Sequence, residues 1–140
     1  MKNRIFFLIL LSIFFAFILT SCVDGWEDPF GDPVEKFLGN WKVNEVSTLY
    51  GGQYNYDVSI SRNPANSAEI LISNFYMQGP GEFARALVSG NTITIVQQTI
   101  CNGTIAIKGS GQFNAGVITL VYTANDAADL DNVSATYRRP

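Results

Sequence analysis

The chain has 140 residues, a net charge of −3, and 47% hydrophobic against 15% charged residues. That balance suits a single domain and gives no electrostatic footprint for nucleic acid. The chain has no histidine, which removes the commonest general base and metal ligand, and it lacks a G-x-x-x-x-G-K-S/T phosphate loop, so no enzyme, cofactor or metal site is expected.

The first residues, MKNR, supply Lys2 and Arg4 as a basic start. Residues 5–19, IFFLILLSIFFAFIL, are apolar except for Ser12. The run has the length of a secretory core and falls short of the roughly 20 residues that a spanning helix needs. Leu19-Thr20-Ser21-Cys22 follows. This resembles the lipobox of bacterial lipoproteins. The resemblance implies cleavage before Cys22, a diacylglyceryl group on its thiol and an acyl chain such as palmitate on its new amine. More than one chain is what stable anchoring takes. The alternative is an uncleaved signal-anchor helix that ends in a cysteine.

Residues 1–21 are thus expected to be a lipoprotein signal peptide and residues 22–32 a lipidated tether, since VDGWEDPFGDP is rich in Pro, Gly and acids. Asp24, Glu27 and Asp28 loosely resemble the acidic export tags of surface lipoproteins, which leaves the membrane face open. The remaining thiol, Cys101, is expected to be buried and inert.

Residues 33–140 form the expected domain. Asp32 and Pro33 can start a short helix over 33–38, and Gly39 ends it. Strands then follow over 41–50, 54–62, 69–76, 83–88, 92–98, 103–113, 117–124 and 133–139, separated by turn residues such as Gly51-Gly52, Ser89-Gly90-Asn91 and Asn114-Ala115-Gly116. Eight short strands with hairpin-length links predict an all-β, antiparallel up-and-down barrel, with a β-sandwich as the alternative.

A short helical turn leads into Gly39-Asn40-Trp41, and the chain ends in Tyr137-Arg138-Arg139. This resembles the lipocalin and wider calycin arrangement. In that arrangement a G-x-W motif opens strand one, and a basic side chain of the last strand lies across the Trp. The run from GNWKVNEVST to ATYRRP is similar to small lipocalin-like lipoproteins of Bacteroidetes. The resemblance implies a calycin-like barrel with Gly39, Trp41 and Arg139 in structural roles. Strand parity with Val133, Ala135 and Tyr137 favours Arg139 over Arg138 as the partner of Trp41.

Antiparallel alternation puts the ends of strands near Tyr50, Tyr54, the 75–81 loop and Cys101 at one open mouth, and the 63–68, 89–91 and 114–116 turns at the end closed by the helix. Tyr50, Tyr54, Tyr76 and Gln78 are therefore the candidate ligand-binding residues. Tyr50, Tyr54, Tyr56, Phe75 and Tyr76 cluster near the loops of the first three strands, where they could stack on a sugar ring or a peptide; the commoner role of such strand aromatics is to fill a core. Glu45 joins the candidates if it shares the face of Trp41 and Val43. The commoner arrangement, and the expectation here, is a bulge that turns Val46 inward and Glu45 to water. Asp126, Asp129 and Asp131 match no calcium loop and are expected in a solvated loop.

The functional expectation is a non-enzymatic lipoprotein held to the outer membrane by acylated Cys22, binding a small apolar ligand, a glycan or a peptide at the barrel mouth. The alternatives are an inhibitor of a protease or lysozyme, or a structural subunit of a surface complex. Intact mass of the membrane-extracted protein should show residues 1–21 missing and acyl mass on Cys22, and Cys22→Ala should release the chain from the membrane. Finding Met1 on the mature protein would end the lipoprotein reading.

Overall fold

The computed structural model describes residues 31–140. The expected signal peptide, Cys22 and the tether as far as residue 30 lie outside the described residues. Eight strands follow one another: β1 (Gly39–Ser47), β2 (Gln53–Arg62), β3 (Glu69–Ser73), β4 (Phe83–Ser89), β5 (Thr92–Ile100), β6 (Ile105–Asn114), β7 (Val117–Asn125) and β8 (Leu130–Arg138). Each pairs antiparallel with the next, and β1 also pairs with β8, so the sheet closes into an up-and-down barrel. Closure rules out the sandwich, because no strand is left as an edge.

Alternation along the strands builds the core. Trp41 and Val43 of β1, Val58 and Ile60 of β2, Ile118, Leu120 and Tyr122 of β7, and Val133, Ala135 and Tyr137 of β8 all point inward and are buried. One irregularity interrupts the barrel. In β5 the register with β6 shifts between Ile95 and Gln98, leaving Val96 and Gln97 together on the outer wall. Main-chain pairing of β4 with β5 runs only from Leu87–Thr94 to Ser89–Thr92. Beyond it the Gln98 side chain substitutes for the ladder. It accepts from Arg85 N at 2.9 Å through Oε1 and donates to Arg85 O at 2.7 Å through Nε2.

Several element boundaries differ from the sequence expectation. The short helix is a single 3₁₀ turn, Glu35–Phe37. β1 stops at Ser47, which leaves Tyr50 in the following loop. β3 stops at Ser73 because the chain turns through left-handed Asn74, at φ 56°, and a tight turn over Phe75–Met77, with Tyr76 and Met77 left-handed as well, tucks Phe75 into the core. β8 begins at Leu130, inside the stretch expected to be a loop, because Asp131 finds donors inside the barrel.

The end near Trp41 is sealed. The 3₁₀ turn lays Phe37 across it, and Trp41 Nε1 donates to Phe37 O at 2.8 Å. Phe113 meets Phe37 edge-on at 5.6 Å and Trp41 at 6.5 Å between ring centroids. The Arg139 guanidinium lies 3.8 Å from the Trp41 ring centroid. It donates to Leu38 O at 2.7 Å and Lys36 O at 3.1 Å, so it ties the chain's end to the turn that plugs the barrel. Gly39 makes room for it: its φ is +102°, and a Cβ there would lie 2.8 Å from the Arg139 guanidinium.

Trp41→Ala should cost about 3–5 kcal/mol in urea unfolding, as large aromatic truncations in cores do. Arg139→Ala should cost less. The two losses should be non-additive in a double-mutant cycle, because contacting residues couple; additive losses would show that the stacking carries no energy.

Candidate functional site

The opposite end of the barrel has a different chemistry. Glu45 and Ser47 continue the inward face of β1 beyond Val43, and both are buried. Glu45 is 2% exposed and Val46 is 45% exposed, so no bulge turns Glu45 to water. Unbroken pairing of Glu45 with Tyr54 on one side and Ala135 on the other holds β1 in register, and that corrects the bulge expectation.

Three tyrosines surround the buried carboxyl. Tyr56 and Tyr122 both donate to Glu45 Oε2, at 2.5 and 2.6 Å. Tyr137 Oη is buried with no partner. Tyr122 is held close to the wall by Gly109, where a Cβ would come within 2.4 Å of the Tyr122 Cβ. Burial raises the Glu45 carboxyl above the ordinary range; the Tyr122 and Tyr56 hydrogen bonds oppose the rise and the Asp131 charge adds to it. Burial first, then neighbouring negative charge, pushes the phenols of Tyr56 and Tyr122 up as well, so they remain donors.

Asp131 lies one layer nearer the mouth and is buried, which corrects its expected place in a solvated loop. Its Oδ2 accepts from Ser47 Oγ at 2.7 Å and Tyr76 Oη at 2.9 Å, and its Oδ1 accepts from Leu49 N at 3.0 Å. Burial alone would raise this carboxyl. The donors at Leu49, Ser47, Tyr76 and Thr48 outweigh that and hold it below the ordinary range. The carboxylate thereby fixes the start of the β1–β2 loop and the ring of Tyr76. Asp126 and Asp129 stay exposed in the β7–β8 loop. Among the described residues, no group of three or more Cys, Asp and Glu could hold a metal ion.

Over these acids opens a pocket of about 320 Å³, lined by Glu45, Ser47, Tyr50, Tyr54, Tyr76, Met77 and Gln78. Tyr50 is 63% exposed at its rim. Tyr54 is half-buried, with its ring against Gly52. Asn74 braces the turn that carries Tyr76, Met77 and Gln78, accepting from Gly79 N and donating to Asp57 O, both at 2.8 Å. The five sequence candidates Glu45, Tyr50, Tyr54, Tyr76 and Gln78 thus border one space. The sequence does not single out Ser47 and Met77, which line the pocket, or Asp131, which holds Ser47 and Tyr76, as site residues. Parity with Val133, Ala135 and Tyr137 is the signal that places Asp131 inside.

Cys101 sits at the same end, half-buried rather than buried, in the left-handed turn after β5, at φ 53°. Its Sγ is 3.3 Å from Gln78 Oε1, and burial and then the Glu82 charge keep its thiol pKa raised. An outer groove of about 310 Å³ beside the β5 bulge, lined by Gln97, Lys108, Thr123, Asn125 and Leu130 among others, is similar in size. It is a furrow on a sheet face, with no buried polar group converging on it.

No protein-family model matches the chain, and no curated protein matches it. Among solved structures it is similar to zebrafish ileal bile acid-binding protein crystallised with cholic acid. The identity is 12% and the TM-score 0.43, over 75% of this chain and 99% of that one.

The two buried acids give stability opposite pH dependences. Asp131 is depressed in the fold, so its contribution is complete above the ordinary aspartate pKa and is lost as pH falls through its folded value. Glu45 is raised, so burying its charge costs stability as pH rises from the ordinary glutamate value through the folded one. Asp131→Asn should therefore lose about 1–3 kcal/mol at neutral pH and less in acid. Glu45→Gln should gain on the wild type as pH rises. Urea unfolding at both pH values checks the two slopes; parallel slopes would mean that one carboxyl is misplaced.

Proposed function

We propose that this barrel is a non-enzymatic binding module that holds a small amphipathic molecule at its open mouth. The observation that carries the reading is the pocket of about 320 Å³ in which an aromatic rim of Tyr50, Tyr54 and Tyr76 meets the buried carboxyl of Glu45. Small-molecule sites have this form: concave and mostly apolar, with few polar groups to fix orientation, and this volume lies at their lower end. The closed end is packed with Trp41, Phe37 and Phe113, so the mouth is where an occupant fits. Binding fits the chemistry better than catalysis does. The chain has no histidine, Glu45 Oε2 is committed to two phenols, and those phenols are held protonated.

The setting we propose with it is the cell envelope, with acylated Cys22 in the outer membrane and residues 22–32 as the tether. Lys2 and Arg4 leave with the signal peptide, so the mature domain is more acidic than the whole chain. That composition favours ligands other than nucleic acid.

A screen of small apolar molecules, glycans and peptides by amide hydrogen exchange should place protection at Tyr50, Tyr54, Tyr76 and Gln78. The 63–68 and 114–116 turns should be unaffected. Ester, glycoside and peptide panels should show no turnover. Protection confined to those turns, or a turnover abolished by Glu45→Gln, would overturn the reading.

A further inference from the structure

The free group at the floor of the pocket is an acceptor. Glu45 takes both tyrosine hydrogen bonds on Oε2, and among the described residues nothing donates to Oε1. Among those residues Tyr137 Oη is the side-chain polar atom that is fully enclosed and unpartnered. The unpaired Oε1 therefore keeps its access through the pocket that Glu45 lines. A carboxylate oxygen on a residue only 2% exposed, facing a cavity, is an expensive arrangement unless something donates to it.

The charge around the pocket has one sign. Its lining contains Glu45 and no Lys or Arg. Asp131 holds the hydroxyl of the lining residue Tyr76, and the adjoining depression is bordered by Asp126 and Asp129. Lys108, on β6, lines the separate groove on the outer face of the sheet, and other cations of the fold are held at the far end of the barrel. Arg139 and Lys36 hold the sealed end, and Arg62 pairs there with Asp32 and Glu35. A cleft lined by negative charge in a low-dielectric wall concentrates cations and repels anions. Three tyrosine rings border the same space, and ring faces of this type attract cations.

Resting on the binding reading above, we propose that the mouth selects a small amphipathic cation, an ammonium on an aromatic or apolar body, with the ammonium donating to Glu45 Oε1 and the body against Tyr50, Tyr54 and Tyr76. A carboxylate-headed ligand such as a fatty acid would set like charge against Glu45 and would bring no donor for Oε1. An alcohol of the same shape would bring one weak donor and no charge. The cation would also compensate the buried carboxylate, favouring its ionised form.

The test uses three matched probes, 2-phenylethylamine, 2-phenylethanol and 3-phenylpropionate, titrated into the isotope-labelled domain at neutral pH with amide shifts at Tyr50, Tyr54, Tyr76 and Gln78 as the readout. The amine should bind at least about tenfold more tightly than the alcohol, the difference one charge-assisted contact makes, and the propionate should bind more weakly than either. Glu45→Gln, which can still accept from both tyrosines, should erase the preference, so that amine and alcohol bind the variant alike. Asp126→Asn with Asp129→Asn, on an exposed loop, should weaken the amine alone. If the alcohol or the propionate binds as well as the amine, or the preference survives Glu45→Gln, the mouth is a binding site without charge selection and the cation inference fails. If none of the three moves the mouth amides, both the inference and the binding reading fail.

Discussion

Pairing of β1 with β8, from Lys42 opposite Arg138 to Ser47 opposite Val133, closes the sheet on itself. With β2 on its other side, β1 is held in register along both flanks. A strand so held cannot slip by one residue without turning its whole inward set out to water. Trp41, Val43, Glu45 and Ser47 therefore enter the barrel together. One strand delivers the plug of the sealed end and the acid of the open end, and the cost of burying Glu45 is carried by the pairing that also buries Trp41 and Val43.

The interior that results is graded along the barrel axis. At one end the aromatic rings of Trp41, Phe37 and Phe113 interlock under the Arg139 guanidinium. In the middle, Tyr56, Tyr122 and Tyr137 ring a single carboxyl, with Phe75 tilted against Tyr122 at 4.6 Å between ring centroids. At the mouth a second carboxyl, Asp131, gathers backbone and side-chain donors from the β1–β2 loop and Tyr76. The two acids differ in consequence because they differ in partners. Asp131 is saturated with donors and organises loops, whereas Glu45 has one oxygen left over. A fully satisfied buried group is structural, and an under-satisfied one facing a cavity is where a ligand can gain most.

Much of this was legible along the chain. Period-two alternation in YNYDVSIS and VITLVYTA marks strands with one buried face, and turn pairs such as Gly51-Gly52 set their ends. Antiparallel alternation then suffices to bring Tyr50, Tyr54, Tyr76 and Gln78 to one end. The sequence was less informative where side chains override local pattern. Tyr50 was expected in a strand and lies in a loop, because Ser47 Oγ accepts from Tyr50 N at 3.0 Å and bends the chain there. Asp131 was expected in a loop and lies in a strand, because its donors come from Ser47, 84 positions earlier.

Strand number, order and polarity, the Trp at one end and the aromatic residues at the other follow from the sequence by itself, since they depend on alternation and on turns only a few residues long. Tertiary structure alone decided which polar groups are buried and which of them remain unpaired. Parity offered Glu45 two places, and only pairing on both flanks of β1 put it inside with Val46 out. Whether its oxygens are satisfied depends on Tyr56 and Tyr122, 11 and 77 positions away. That last pair exists because closure leaves only β8 between β7 and β1, and the bare Gly109 of β6 lets the Tyr122 backbone approach. Local pattern sets which way a side chain points; closure of the sheet sets what it meets there.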